Sequence, residues 1–367
     1  MNEKLNLGII YGGRSGEHEV SLMSARSVLS VIDREKFNVI EIGISRQGQW
    51  FVGENLWTMM QNERYDTLTP VIFPPIPQKA GVYTLEEGAL TLFAALDVVF
   101  PVMHGTFSED GTLQGLFEMA DIAYVGAGVL GSAACMDKGL FKDVMIANQI
   151  PTLPYLVFNR TEIQSDLENC LDQAEGIAPY PLFTKPANLG SSVGISKCTS
   201  RSDLMEGLMQ SALYDRRIVV EKGVNNAREI EISVLGNETP IASVPGEIIP
   251  KDIFYTYSEK YINDTADLLV PADLPADLVQ ELQALALTAY KATDCAGMGR
   301  VDFLIDRDNG DFFLNEINTI PGFTKISMYP KLWEASGLPY AELIEALIKL
   351  ALARKSQRDE TTREFRS

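Results

Sequence analysis

The chain opens on an apolar run, Leu5 to Tyr11. It breaks at Gly12-Gly13-Arg14-Ser15-Gly16 and resumes from Glu17 with apolar residues at Val20, Met23, Val28 and Leu29, spaced as on one helix face. A second apolar run, Val39 to Ile44, follows. Strand, glycine turn, helix and strand make a β-α-β unit, which predicts a parallel sheet with helices on its faces. Leu96 to Val102 reads as another buried strand of that sheet, ending at Met103-His104-Gly105. Between them, residues 51–95 carry a proline cluster, Pro74-Pro75 and Pro77, and no clear period.

From residue 127 the pattern changes. A helix over Met136 to Asn148 leads into short strands at Tyr155 to Phe158 and Leu182 to Lys185. A glycine-serine turn and a strand at Val193 to Lys197 follow, as in an antiparallel α+β module. A third segment starts at Ile218-Val219-Val220-Glu221. It has strands at Glu229 to Leu235 and Ile241 to Pro245, the hairpin Val301 to Asn318, and a last helix from Ala341. The expected division is 1–126, 127–220 and 221–352, with 353–367, which offers no apolar positions to bury, as a flexible tail.

A chain of 367 residues is too long for one core, in keeping with that division. No apolar run reaches the roughly 18 residues of a spanning helix, and Met1-Asn2-Glu3-Lys4 has no secretory pattern, so the cytoplasm is the expected address. Cys135, Cys170, Cys198 and Cys295 lie far apart and read as reduced and buried. A net charge of −19 argues against nucleic acid or an anionic membrane as partner. An acidic protein that binds an anion must gather its few cations locally, so lysines beside glycines carry more information than the overall balance.

The sharpest local signal is the hairpin. Asp302 lies on its first strand, Glu316 and Asn318 on its second, and Arg300 two residues before the aspartate. Residues two apart on a strand share a face, so Arg300 groups with Asp302 and Glu316 with Asn318. Three hard oxygen donors suit magnesium, which takes carboxylates shared with phosphates and keeps several waters. A solvated surface hairpin would carry the same residue types. The apolar neighbours Val301, Phe303, Leu304, Leu314 and Ile317 weigh against solvation, because a buried carboxylate needs a cation.

A second signal is Lys185-Pro186-Ala187-Asn188-Leu189-Gly190-Ser191-Ser192-Val193-Gly194. Its small residues let backbone N–H groups approach phosphate oxygens while the lysine brings charge; the same composition also makes a plain turn. Neither it nor Gly12-Gly13 has the spacing of a phosphate loop or a dinucleotide fingerprint. Lys138 is either a further cation for a nucleotide or a surface lysine. Glu17 suits a first helical turn by dipole alone, and His104 suits a structural hydrogen bonder at a strand end.

Taken together, these stretches resemble the D-alanine–D-alanine ligases of the ATP-grasp superfamily over nearly the whole chain. The matching motifs are Tyr11 to Ser21, His104 to Gly115, Met136-Asp137-Lys138, Lys185-Pro186 with Gly190 to Gly194, Gly299 to Asp302, and Asn315 to Thr324. The resemblance implies an α/β N-terminal parallel-sheet domain followed by a two-part α+β ATP-grasp fold. It implies an ATP-dependent carbon–nitrogen ligase that converts one D-alanine to an acyl phosphate and joins it to a second, for peptidoglycan synthesis. Glu17 would hold the first substrate's ammonium in a hydrogen-bonded set with Ser191 and Tyr261, with His104 near that substrate's carboxylate. Lys138, Lys185, Lys260 and the loop bearing Ser191 and Ser192 would meet the phosphates; Glu221, Lys222, Gly223, Val224 and Glu229 would meet adenine and ribose. Two magnesium ions, replaceable by manganese, would fall to Asp302, Glu316 and Asn318. Arg300 and the N–H of Gly322 would stabilise the oxyanion, and Ser327 and Met328 would receive the second substrate. Tyr255 to Tyr261 would close as a lid against water. A homodimer through the N-terminal domain is expected.

One expectation concerns register. For Asp302 to lie directly opposite Glu316, the turn around Asp308-Asn309-Gly310 needs an odd number of residues, since a two-residue turn pairs Asp302 with Ile317. Two other functions stay open. A D-alanyl-D-lactate ligase shares the ATP machinery and differs at the lid, where Lys260-Tyr261 is similar to the dipeptide-forming members. A non-catalytic nucleotide sensor has no use for the metal ligands.

Overall fold

The computed structural model describes residues 4–77, 79–191, 193–249, 267–324 and 326–362. The expectations placed on Ser192, Lys260, Tyr261 and the 255–261 lid lie outside the described residues. β1 (Leu5–Gly12), α1 (His18–Val31) and β2 (Phe37–Ile44) form the parallel unit, with Leu7 opposite Val39 and Ile10 opposite Ile42. Residues 51–95 resolve into β3 (Trp50–Val52), α2 (Leu56–Gln61), β4 (Thr69–Val71) and an antiparallel hairpin of β5 (Gly81–Glu86) and β6 (Ala89–Ala95). β7 (Val98–Pro101), α3 (Thr112–Met119) and β8 (Ala123–Tyr124) complete a sheet of order β4-β3-β2-β1-β7-β8, parallel at its centre and antiparallel at the β3–β4 edge. Alternation along β1 sends Leu7, Ile9 and Tyr11 into one core and Ile10 into another, so both faces of the strand are covered.

The helix expected over Met136 to Asn148 is present at Lys138–Ala147, and a second helix that the pattern did not show lies directly before it. α4 (Val129–Met136) ends at Asp137, and α5 (Lys138–Ala147) begins there. The Asp137 carboxylate accepts from the Leu140 N–H at 2.9 Å and an Arg217 guanidinium N–H at 2.6 Å, so the aspartate caps a new helix instead of continuing the old one. Lys138 thereby becomes the first residue of α5.

The next sheet is built from β9 (Tyr155–Asn159), β10 (Leu182–Pro186), β11 (Ser196–Cys198) and β12 (Arg217–Lys222), in the order β11-β10-β12-β9 and antiparallel throughout. α6 (Arg160–Ser165), α7 (Leu167–Glu175) and α8 (Arg201–Tyr214) complete its helical complement. The strand expected from Val193 starts only at Ser196, because Gly194 has φ +72° and turns the chain out of the ladder. A third sheet, order β15-β14-β13-β16-β17, comprises β13 (Ala227–Gly236), β14 (Ile241–Ile249), β15 (Asp267–Leu269), β16 (Gly297–Asp306) and β17 (Phe312–Asn318). α9 (Ala276–Ala292) packs on it through Leu282, Ala286 and Ala289.

In the β16–β17 hairpin, Asp302 does lie opposite Glu316, but not through an odd-numbered loop. Ile305 pairs with Phe312 and Phe303 with Leu314, and Asp306 N donates to Asp311 O at 2.8 Å, which holds the connection in the even register. The ladder then shifts between Asp302 and Phe303, where Asn315 is the extra residue of a β-bulge. Leu314 and Ile317, three apart, are both buried in the core, as a bulge between them requires.

α10 (Met328–Ala335) and α11 (Tyr340–Asp359) end the described chain. The flexible tail expected from residue 353 is corrected here, since α11 continues to Asp359. Polar contacts hold it: Arg354 reaches the carbonyls of Gly126 and Tyr124, and Arg358 pairs with Glu118 and, at 3.0 Å, Asp121. Leu343, Ile344, Leu347 and Ile348 of α11 pack in the same core as Leu7 and Ile9 of β1. Among the described residues, no helix is long and apolar enough to cross a membrane.

Candidate active site

A cavity of about 580 Å³ opens where the three sheets meet, and every described candidate site residue lines it. Glu17 enters from the N-terminal side as the residue preceding α1, and its carboxylate is buried. Two glycines make room for it: a Cβ on Gly105 would collide with the carboxylate, and one on Gly190 would come within 2.9 Å. Ser191 donates its hydroxyl to Glu17 Oε1. This contact spans two sheets, and Ser191 makes it from φ +52°, a conformation a serine holds only where its surroundings impose it.

His104 is buried between the N-terminal sheet and the segment after β17. Its Nδ1 lies 3.0 Å from the Ile320 carbonyl oxygen, which can only accept, so Nδ1 carries the proton. Nε2, 3.1 Å from Ser24 Oγ, then accepts from that hydroxyl, and Ser24 Oγ accepts in turn from Phe323 N–H at 3.3 Å. Burial holds the ring at about 4, with the Ile320 carbonyl opposing and Arg300 reinforcing, so it is neutral near pH 7. The chain of bonds fixes both sides of Gly322. Beyond it, Ser327 Oγ accepts from Thr324 N–H at 3.0 Å, and Met328 opens α10.

Lys138 lies at the junction of α4 and α5 and donates to Leu189 O at 2.8 Å, 3.9 Å from Glu316. Burial lowers its pKa, Glu316 opposing and Lys185 adding to the effect. Lys185 and Glu221 are diagonal neighbours on β10 and β12, where Phe183 is opposite Glu221, and they form an ion pair. A second lysine, Lys142, reaches the other Glu221 oxygen at 2.9 Å. The carboxylate expected at the nucleotide is therefore clasped by two ammonium groups, beside Lys222, Gly223 and Val224 on the cavity wall. Glu229 lines the same wall from β13.

On the hairpin, Arg300 sits opposite Asn318 and Asp302 opposite Glu316. Arg300 makes a two-pronged contact with Asp302, at 2.8 and 2.7 Å, and also pairs with Glu231 at 3.1 Å. Asn318 donates to Asp302 at 2.9 Å. Two carboxylates and an amide oxygen are hard donors that fit a divalent ion shared with phosphates. No group of three or more His, Cys, Asp or Glu suited to a metal occurs among the described residues. Two carboxylates alone suit an ion that completes its shell with phosphate oxygens and water.

Three wall residues had no role in the sequence reading. Asn315, thrown onto the cavity side by the bulge, could be found only from the register. Glu231 is read only once β13 is known to lie beside β16, where it faces Asp302. Glu109 accepts from Gly105 N–H at 2.8 Å and Ile320 N–H at 3.2 Å; burial and then Glu17 push its carboxyl up to about 8. It stood inside the His104 to Gly115 motif without a signal of its own.

An α/β sheet set beside two antiparallel sheets that share a cleft is the ATP-grasp arrangement. Comparison with known proteins narrows it. The family models described as D-ala D-ala ligase N-terminus and D-ala D-ala ligase C-terminus match residues 6–127 and 144–349. A D-alanine–D-alanine ligase of Heliobacterium modesticaldum is 49% identical over 363 residues, covering 98% of each chain. The structure of the D-alanine–D-alanine ligase from Coxiella burnetii superposes with a TM-score of 0.83 at 34% identity, covering 98% of this chain and 97% of that one. A D-Ala:D-Ser ligase from Enterococcus faecalis superposes with a TM-score of 0.84, also at 34% identity, over 95% of this chain and 100% of that one. The chain belongs to the D-alanine–D-alanine ligase family.

Proposed function

We infer that this protein joins two molecules of D-alanine through a D-alanyl phosphate, releasing ADP and phosphate and supplying D-alanyl-D-alanine for peptidoglycan precursors. The observation that carries the reading is the Ser191–Glu17 contact, which closes the glycine-serine loop onto an amine-binding carboxylate in the same cavity as the lysines and the acidic hairpin. A carboxylate is a poor electrophile until it is phosphorylated. Lys138 and Lys185 bring positive charge to the nucleotide's phosphates, and Lys222 to Val224 with Glu229 border its base and sugar. Asp302, Glu316 and Asn318 would hold the divalent metal, which when bound neutralises charge on the transferring phosphoryl group. Glu17 holds the first substrate's ammonium. Arg300 and the Gly322 N–H, the latter fixed through His104 and Ser24, support the oxyanion formed when the second amine attacks; a well-placed donor contributes about 3 to 4 kcal/mol. Ser327 and Met328 border the second substrate.

We further propose two magnesium ions, replaceable by manganese, a lid bearing Lys260 and Tyr261, a phosphate contact for Ser192, a homodimer, a cytoplasmic location, and units divided at 126/127 and 220/221. A second reading concerns the acceptor alone: a structural relative is a D-Ala:D-Ser ligase, so D-serine competes with D-alanine as the second substrate. Phosphate release with ATP, magnesium and a panel of D-alanine, D-serine and D-lactate, with products identified by mass, tests both. Release that requires D-alanine and yields the dipeptide is expected. ATP hydrolysis indifferent to D-alanine would overturn the ligase reading.

A further inference from the structure

Lys142 occupies a position that a helix normally gives to leucine. α5 buries Gly139, Phe141, Lys142 and Met145, and the Lys142 side chain is 2% exposed. Its ammonium lies 2.9 Å from Glu221 Oε2 and 5.6 Å from the centre of the Tyr155 ring, which faces Glu221 across β9 and β12. A buried ammonium has a desolvation cost of several kcal/mol, and an apolar residue here would avoid it. Lys185 takes the other oxygen of the same carboxylate. Lys185 faces the cavity; Lys142 stands behind.

The charges explain the arrangement. A lone Glu221–Lys185 pair would be neutral, and phosphates approaching it would gain nothing net from that lysine. Carboxylates already outnumber cations on the cavity wall. With Lys142 the trio carries one net positive charge, and that charge sits on the member that reaches the cavity. Resting on the nucleotide reading above, we propose that Lys142 is a positioning residue for ATP, neutralising Glu221 from behind so that Lys185 keeps its full charge for the phosphates. Glu221 behaves accordingly: burial would raise its pKa, but Lys142 first and Lys185 next hold it at about 2. It stays ionised and paired when Lys185 turns to phosphate.

Calorimetric titration of the full chain with ATP, ADP and adenosine, in magnesium, tests this on wild type, Lys142→Met, Lys142→Arg and the double variant Lys142→Met with Glu221→Gln. One unit of charge lost from a half-buried phosphate site weakens ATP roughly tenfold or more. Lys142→Met should therefore lose that affinity for ATP, much of it for ADP, and keep adenosine within about twofold. Lys142→Arg keeps the charge and should hold ATP affinity within about threefold. The double variant removes both buried charges and leaves Lys185 unpaired; ATP and adenosine both lose the Glu221 contact at the base, so the reading is their affinity ratio, which should return to within about threefold of wild type. Equal losses for adenosine and ATP would show a packing role and overturn the proposal. So would a double variant whose preference for ATP over adenosine is no higher than that of Lys142→Met. If Lys142→Met does not fold, the double variant decides alone: a wild-type preference for ATP over adenosine supports the proposal and loss of that preference overturns it. Failure of wild type to bind ATP would instead remove the nucleotide reading itself.

Discussion

His104→Gln removes a titrating ring while keeping both of its hydrogen bonds, since an amide N–H reaches Ile320 O and an amide oxygen accepts from Ser24. Burial places the folded-state value at about 4 against an ordinary 6.5, so the folded protein takes up a proton at this ring less readily than the unfolded chain. The stability contribution is complete above 6.5, falls away as pH drops below it, and is gone below about 4. A tenfold difference in proton affinity is worth about 1.4 kcal/mol, so the loss from about pH 7.5 to about pH 5 is about 2 kcal/mol. Glu109, pushed up to about 8, moves stability the other way across this window, but it is present in both proteins and cancels in their difference. Equilibrium urea unfolding, followed by the fluorescence of Trp50, Trp57 and Trp333, reads the effect. The gap between wild type and variant should change by about 2 kcal/mol in favour of the variant between the two pH values. Parallel stability curves across the window would mean that the ring is already charged, or the site wet, and would refute the reasoning.

Glu316→Gln should lower turnover at fixed ATP by about tenfold or more, with partial recovery at high magnesium, because it removes a charge from the proposed cation site; wild-type rates at ordinary magnesium would count against the assignment. Ser191→Ala should raise the KM for D-alanine more than that for ATP, as it takes the serine hydroxyl away from Glu17; an effect confined to ATP would place Ser191 with the phosphates instead. Tyr261→Phe should admit D-lactate as acceptor, most clearly below neutral pH where the competing amine is protonated; proportional loss with both acceptors would leave the tyrosine a packing role. Truncation after Ala353 should cost about 2 to 3 kcal/mol in urea unfolding, from the lost Arg354 and Arg358 contacts; an unchanged midpoint would restore the view of that stretch as a tail.

Much of the architecture was legible because β1 and α1 alternate with the periods their faces require, and because the glycine-rich breaks coincide with real chain reversals. The hairpin shows where legibility stops. Arg300, Asp302, Glu316 and Asn318 could be grouped by spacing, but their register depends on Asn315, and an extra residue in a ladder leaves no mark in composition. Lys142 carries no signal in the sequence, because its meaning lies in Glu221, brought to it by β12 from far along the chain. The 51–95 stretch defied the pattern because its strands are short and β6 keeps Leu92 and Phe93 half exposed, so apolar residues do not report burial there. Residues 353–359 failed for the opposite reason. Hydropathy looks for apolar anchors, and that turn of α11 is anchored by arginines.

The packing of α11 against the first sheet has a consequence for how the protein is made. Leu343, Ile344, Leu347 and Ile348 join Leu22, Ala25 and Val28 of α1 in the core that holds Leu7 and Ile9, so this sheet leaves the ribosome well before the helix that completes the shelter of that face. A nascent chain halted before residue 340 therefore carries a parallel sheet with part of one greasy side open, and until that helix is made the gap is a target for chaperones and for neighbouring chains.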